Sequence, residues 1–142
     1  MRNIIEEARC ILPGLQAVFG FQTIAVFNER FTDLETYAQA CHLAGLGLMV
    51  VAMGMLMTPA VYYRAQHGRA TSRMVRVARK MIRGGLMPLA FGMSLDMLTV
   101  MSLATHELVL SIGAAIASLL LFVGLWYLLP QRDPVQIQEP QS

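Results

Sequence analysis

Asp96 stands where an acid is costly. It lies inside the apolar run 81–104, about eight residues from its far end, or ~12 Å deep at 1.5 Å per helical residue. In hydrocarbon an aspartate at such depth costs ~2.5–3.5 kcal/mol, and its short side chain cannot reach water. On a helix it shares a face with Gly85, Gly92 and Thr99, with His106 beyond, so it should point at neighbouring helices and away from lipid. Two chemistries satisfy such a group. A neutral carboxyl can bond to a hydroxyl, which is a structural role, or a carboxylate can pair with a cation, which is a proton or ion site. Arg30 is the candidate cation on the same side. Gln16, Gly20 and Thr23 form a second polar stripe, continuing the face of Arg2, Glu6 and Arg9. With Asp96 they could line a wet path; the simpler role is hydrogen bonding between helices.

Other chemistry is weakly supported. The eleven methionines include two ladders, Met49-Met53-Met57 and Met93-Met97-Met101. Thioether suits Cu(I), but methionine is also an adaptable packing residue, and no exposed Met-x-x-Met or Cys-x-x-Cys loop would load a metal. Cys41, His42, His106 and Glu107 are a loose set without zinc-site spacing. The expectation is no metal, no cofactor and no catalytic residue: there is no nucleophile elbow, metal-binding helix motif or phosphate loop.

The elements that must hold Asp96 follow from charge distribution. Apolar residues make up 56% of the 142 and charged residues 14%, well below the ~25% of soluble domains, and the charges cluster in patches. Four stretches approach the ~20 apolar residues needed to cross hydrocarbon as a helix: 11–27, 41–63, 81–104 and 108–129. The first is the weakest, carrying Gln16, Gln22 and Thr23. It does not read as a signal peptide, because Glu6 and Glu7 spoil the basic start and the nearest Ala-x-Ala lies beyond four charged residues. Arg64, Arg69, Arg73, Arg76, Arg79, Lys80 and Arg83 fall between spans two and three. Arg2 and Arg9 precede span one, Arg132 follows span four, and Arg30 alone falls on the opposite side. Basic loops stay cytoplasmic, which places both termini inside. Tyr62, Tyr63, Trp126 and Tyr127 then meet at the inner interface, and Phe27, Phe31 and Tyr37 at the outer one. Cys10 and Cys41 fall on opposite sides and cannot pair.

Three surfaces remain. The first twelve residues are amphipathic, with Ile4, Ile5, Ala8, Ile11 and Leu12 on one face, and Pro13-Gly14 either ends this helix or kinks it into span one. In the segment 64–83, Arg69, Arg73, Arg76, Lys80 and Arg83 recur at helical spacing opposite Met74, Val77, Ala78 and Met81. Such a stripe attracts anionic headgroups; without interleaved aromatics it does not fit nucleic acid. Small residues line span two (Ala40, Ala44, Gly47, Gly54, Thr58) and span four (Gly113, Ala117, Gly124; Ser111, Ala115, Ser118), and such stripes let membrane helices approach closely.

The run Glu7-Ala8-Arg9, then Leu12-Pro13-Gly14, Gln16 and Phe21, resembles the opening of a bacterial family of four-span membrane proteins with no assigned function. Phe27 with Phe31, His42-Leu43-Ala44 and Pro59-Ala60-Val61-Tyr62-Tyr63-Arg64 resemble its later landmarks, from about Glu6 to Pro130. Tyr63 departs from the histidine expected there. The resemblance implies the fold and no activity. The expectation is an all-α protein: a four-helix transmembrane bundle over residues 1–130, both termini in the cytoplasm of a bacterium, with a short amphipathic N-terminal helix and a flexible polar tail over 131–142. Its expected partners are the bilayer with its anionic headgroups and a second copy or another membrane protein. The function classes are a non-enzymatic membrane module and a small oligomeric ion or proton channel using Asp96.

Overall fold

The computed structural model describes the backbone of residues 2–65 and 72–129, and the side chains of 12–29, 31–65 and 72–129. The described residues are all-helical apart from short turns. Arg2–Val26 (α1) leads through the single turn Glu29–Thr32 (α2) to Thr36–Ala65 (α3); Ser72–Thr105 (α4) and Leu108–Val123 (α5) follow, the last continuing as a π-helical turn over Gly124–Leu128. Three helices are long and apolar enough to cross a membrane: α3, α4, and α5 with its π turn; Leu12–Val26 is a shorter apolar stretch. At 1.5 Å per residue the 30 residues of α3 span about 45 Å and the 34 of α4 about 51 Å. Both exceed a ~30 Å hydrocarbon core.

The two readings left open at Pro13 resolve to one helix, for α1 runs unbroken from Arg2 to Val26 with Pro13 inside it. The amphipathic segment is thus the start of α1 and not a separate element. Proline deletes one donor and crowds one preceding carbonyl, which a long helix absorbs. The basic segment is likewise mostly helix: α3 ends on Arg64 and Ala65, and Arg73, Arg76, Arg79, Lys80 and Arg83 lie exposed on the first turns of α4. Arg69 and the tail 131–142 lie outside the described residues.

α3 and α4 form the central pair, α5 packs on α4, and α1 lies on α3 with slight contact to α4. The buried residues of α3 are Ala38, His42, Gly45, Met49, Ala52, Leu56 and Pro59, stepping alternately by four and three. That repeat keeps one seam facing a neighbour along a gently supercoiled pair. The matching seam of α4 runs through Met74, Ala78, Gly85, Leu89, Gly92 and Thr99. Leu15, Met49, Ala52, Leu56 and Leu89 make the core, flanked by Phe19, Met53, Ile82, Leu86, Met93 and Trp126.

The small-residue stripe of span two does not make this seam. Ala40, Ala44, Gly47, Gly54 and Thr58 are all exposed. Along so apolar a helix every face is hydrophobic, so size alone does not mark which one is buried. At the basic end Tyr127 donates to the Arg83 carbonyl at 2.6 Å and ties α5 to α4. At the other end His106 takes φ 55° in the α4–α5 turn, and its amide bonds back to the Ser102 carbonyl at 3.0 Å. Left-handed caps of this kind close many helices.

Candidate functional site

The seam crosses closest where α3 and α4 each carry glycine. A Cβ at Gly45 would lie 2.9 Å from Asp96 Oδ1 and 3.2 Å from the Gly92 carbonyl, and one at Gly92 would lie 3.1 Å from the Gly45 carbonyl. The paired glycines bring the backbones together one turn before Asp96 and leave room for its carboxylate.

Three side chains meet there. Gln22 of α1 donates from Nε2 to Asp96 Oδ2. His42 of α3 sets Nδ1 3.3 Å from Asp96 Oδ1, the two side chains being 7% and 13% exposed. His42 Nε2 lies 3.0 Å from the Gln22 carbonyl, closing a ring through three helices. Phe31 of α2 stands edge-on to the imidazole, with centroids 5.6 Å apart. Gln22 Oε1 and Asp96 Oδ1 are buried acceptors without a well-formed hydrogen bond among the described residues; at Oδ1 the imidazole is within ion-pair reach but off the hydrogen-bonding direction.

The proton count follows from these contacts. A backbone carbonyl only accepts, so His42 Nε2 must carry hydrogen. Nδ1 then faces a carboxyl oxygen, and two lone pairs cannot share that contact. A proton on either group relieves that contact, giving imidazolium with carboxylate or imidazole with carboxyl. In both forms the pair is neutral as a whole, the arrangement a low-dielectric interior tolerates.

Above the ring, a cavity of about 320 Å³ is lined by Ala25, Asn28, Phe31, Leu34, His42, Thr99, Val100 and Leu103. It connects His42 to the α2 end of the bundle. Toward the basic end the seam is Met49, Ala52, Leu56, Gly85 and Leu89, with no ionisable group.

Of the residues singled out by sequence, Asp96 does face its neighbouring helices. Thr99 is buried close by, but its hydroxyl serves the Leu95 and Ala38 carbonyls at 3.1 and 3.3 Å. Gln16 is exposed on α1, and Thr23 bonds to the Phe19 carbonyl of its own helix at 2.8 Å. The structure therefore does not gather Gln16 and Thr23 with Asp96, because their face of α1 is turned roughly 100° or more from that of Gln22. The Arg30 side chain lies outside the described residues, and the partner found at Asp96 is His42. No group of three or more metal-ligating side chains forms among the described residues. Met49 is fully buried in the core, a packing role. Sequence reasoning missed His42 and Gln22 as site residues. One signal could have found the first, since His42 shares the four-three seam of Gly45, Met49, Ala52 and Leu56.

Fold and site together define an all-helical protein with membrane-length apolar helices and a buried acid, imidazole and amide at their crossing. The chain belongs to the family of unknown function DUF6328, whose model matches residues 1–130. No curated protein and no solved structure gives a significant match.

Proposed function

We propose that this chain is a multi-pass protein of a bacterial cytoplasmic membrane, with both termini inside. It acts as a non-catalytic module whose core binds a proton reached from the outer side. The observation that carries this reading is the closed ring of Asp96, His42 and Gln22, with His42 Nδ1 3.3 Å from Asp96 Oδ1. In this orientation α1 crosses with the others, the α2 end with its cavity lies outside, and the Arg-rich start of α4 lies inside. A C-terminal tag should accordingly be reachable only after cells are permeabilised.

The apolar seam below the ring favours a one-sided site over conduction through a single copy. Nitrogen NMR of His42 in lipid-embedded protein tests this: its ring-nitrogen signals should move when Asp96 is replaced by Asn, because the carboxyl beside Nδ1 is lost. A His42 spectrum unchanged by Asp96→Asn overturns the reading. The channel alternative requires a path between copies of the chain. It predicts proton, Na⁺, K⁺ or Cl⁻ flux in liposomes that Asp96→Asn alters.

The exposed Arg73, Arg76, Lys80 and Arg83 support contact with anionic lipid at the inner face, at ~1 kcal/mol per residue, and Arg69 belongs to the same stripe by sequence spacing. Neutralising Arg73, Arg76 and Lys80 to Gln should lower the anionic-lipid enrichment around purified protein several-fold. Unchanged enrichment would remove the lipid role.

A further inference from the structure

We infer that the cleft between α1 and α5 seats one anionic phospholipid of the inner leaflet, with an acyl chain inside the bundle and the headgroup at Arg83. The inference rests on the orientation and the inner-face lipid contact proposed above, and adds a defined site to them.

α1 packs on α3 and α5 packs on α4, so the two outer helices leave a cleft between them. Met49 and Leu89 of the core form its floor. Gly14 and Val18 wall it on the α1 side, Phe122 and Trp126 on the other, around a volume of about 280 Å³. None of these side chains is ionisable, and water finds no partners in so apolar a space. A hydrocarbon chain does.

Trp126 stands at the inner end of the cleft, stacked on Phe122 with ring centroids 4.9 Å apart. Its indole N–H has no acceptor among the described residues. An indole at the membrane boundary ordinarily donates to a partner, and at headgroup depth the lipid ester carbonyls are the acceptors at hand. The next residue, Tyr127, donates to the Arg83 carbonyl at 2.6 Å, which brings the exposed Arg83 to this same end. Arg79 and Lys80, also exposed, lie one turn earlier on α4. From the cleft toward the cytoplasm the order is apolar floor, unpaired N–H, then cations. A phospholipid presents its complement in the same order: chain, ester carbonyl, phosphate.

The test is native mass spectrometry of delipidated full-length protein titrated with phosphatidylglycerol or phosphatidylcholine. Wild type should take up one phosphatidylglycerol in preference, with later copies binding more weakly. Gly14→Leu with Val18→Phe should fill the cleft, since nothing lies within 4 Å of a Cβ at Gly14, and should abolish that first uptake. Trp126→Phe keeps the stacked ring but loses the N–H, and should weaken uptake about fivefold, the worth of one ordinary hydrogen bond. A dialkyl ether phosphatidylglycerol, which lacks the ester carbonyl, should bind wild type equally weakly and be indifferent to Trp126→Phe. Arg83→Gln should erase the preference over phosphatidylcholine. Undiminished uptake by the filled-cleft variant overturns the site, while the lipid contact of Arg73, Arg76 and Lys80 stands or falls by its own variants. A wild-type dimer that the filled-cleft variant abolishes would make the occupant a second copy and also overturn it. Should that variant not fold, equal binding of ester and ether lipid, unaltered by Trp126→Phe, overturns the site on its own.

Discussion

His42→Leu should destabilise the protein by about 3–5 kcal/mol, the penalty for stripping one partner from a buried charged pair. The substitution leaves Asp96 without the imidazole beside Oδ1, in a pocket where its side chain is 13% exposed. It also removes the bond to the Gln22 carbonyl and the edge-on contact with Phe31. Leucine fills much of the same volume, so cavity formation is a minor contribution and the cost is electrostatic. A second arm separates the two causes. Replacing Asp96 and Gln22 with leucine in the same chain removes the stranded polar atoms and should recover most of the loss, since apolar replacement of a whole buried pair is often neutral or stabilising. Steric trapping or denaturant unfolding in mixed micelles measures both arms. If His42→Leu costs no more than about 1 kcal/mol, an ordinary hydrogen bond, then the carboxylate does not depend on the imidazole and the one-proton ring is wrong.

The legibility of this molecule from its sequence was uneven for physical reasons. The long helices could be read because hydrocarbon demands a run of apolar residues that leaves no room for ambiguity; residues 41–63, 81–104 and 108–129 lie within α3, α4, and α5 with its continuation. Charge made the helix ends readable, and the helical spacing of Arg73, Arg76, Lys80 and Arg83 agrees with the first turns of α4, which begins at Ser72. The inward aim of Asp96 was readable because glycines and a threonine share its face. Its partners were not. In water, polar periodicity marks the buried face of a helix; in α3 both faces are apolar, so the exposed Ala40-Ala44-Gly47 stripe resembled a contact surface as closely as the true seam did. His42 was visible only as a lone histidine, and lone histidines carry little information until the four-three spacing with Gly45 and Met49 is counted. Gln22 interrupts the weak apolar run 11–27, and its amide reaches Asp96 on α4. The α1 reading also shows why: a short apolar helix with a polar residue gains most by directing that residue inward.

Two glycines only two positions apart in α3 should respond in opposite ways to one added methyl group. At Gly45 the new Cβ would sit 2.9 Å from Asp96 Oδ1 and 3.2 Å from the Gly92 carbonyl. The second neighbour is backbone and cannot turn aside, so α3 and α4 must separate by a few tenths of an ångström along their closest crossing. Overpacking of this kind costs about 1–3 kcal/mol. The cost should reach the upper end because the carboxylate is displaced from His42 and Gln22 at the same time. At Gly47 nothing lies within 4 Å of the added atom, and alanine there gains the helical preference it holds over glycine, up to about 1 kcal/mol in an exposed helix. The variants Gly45→Ala and Gly47→Ala thus differ by about 2–4 kcal/mol from these two terms, with the same atoms added to the same helix. The electrostatic part shows separately, since Gly45→Ala should also move the His42 ring-nitrogen NMR signals and Gly47→Ala should leave them in place. Equal stability of the two variants would mean that the α3–α4 crossing is looser than the glycine contacts require, and the tight placement of Asp96 against His42 would fall with it.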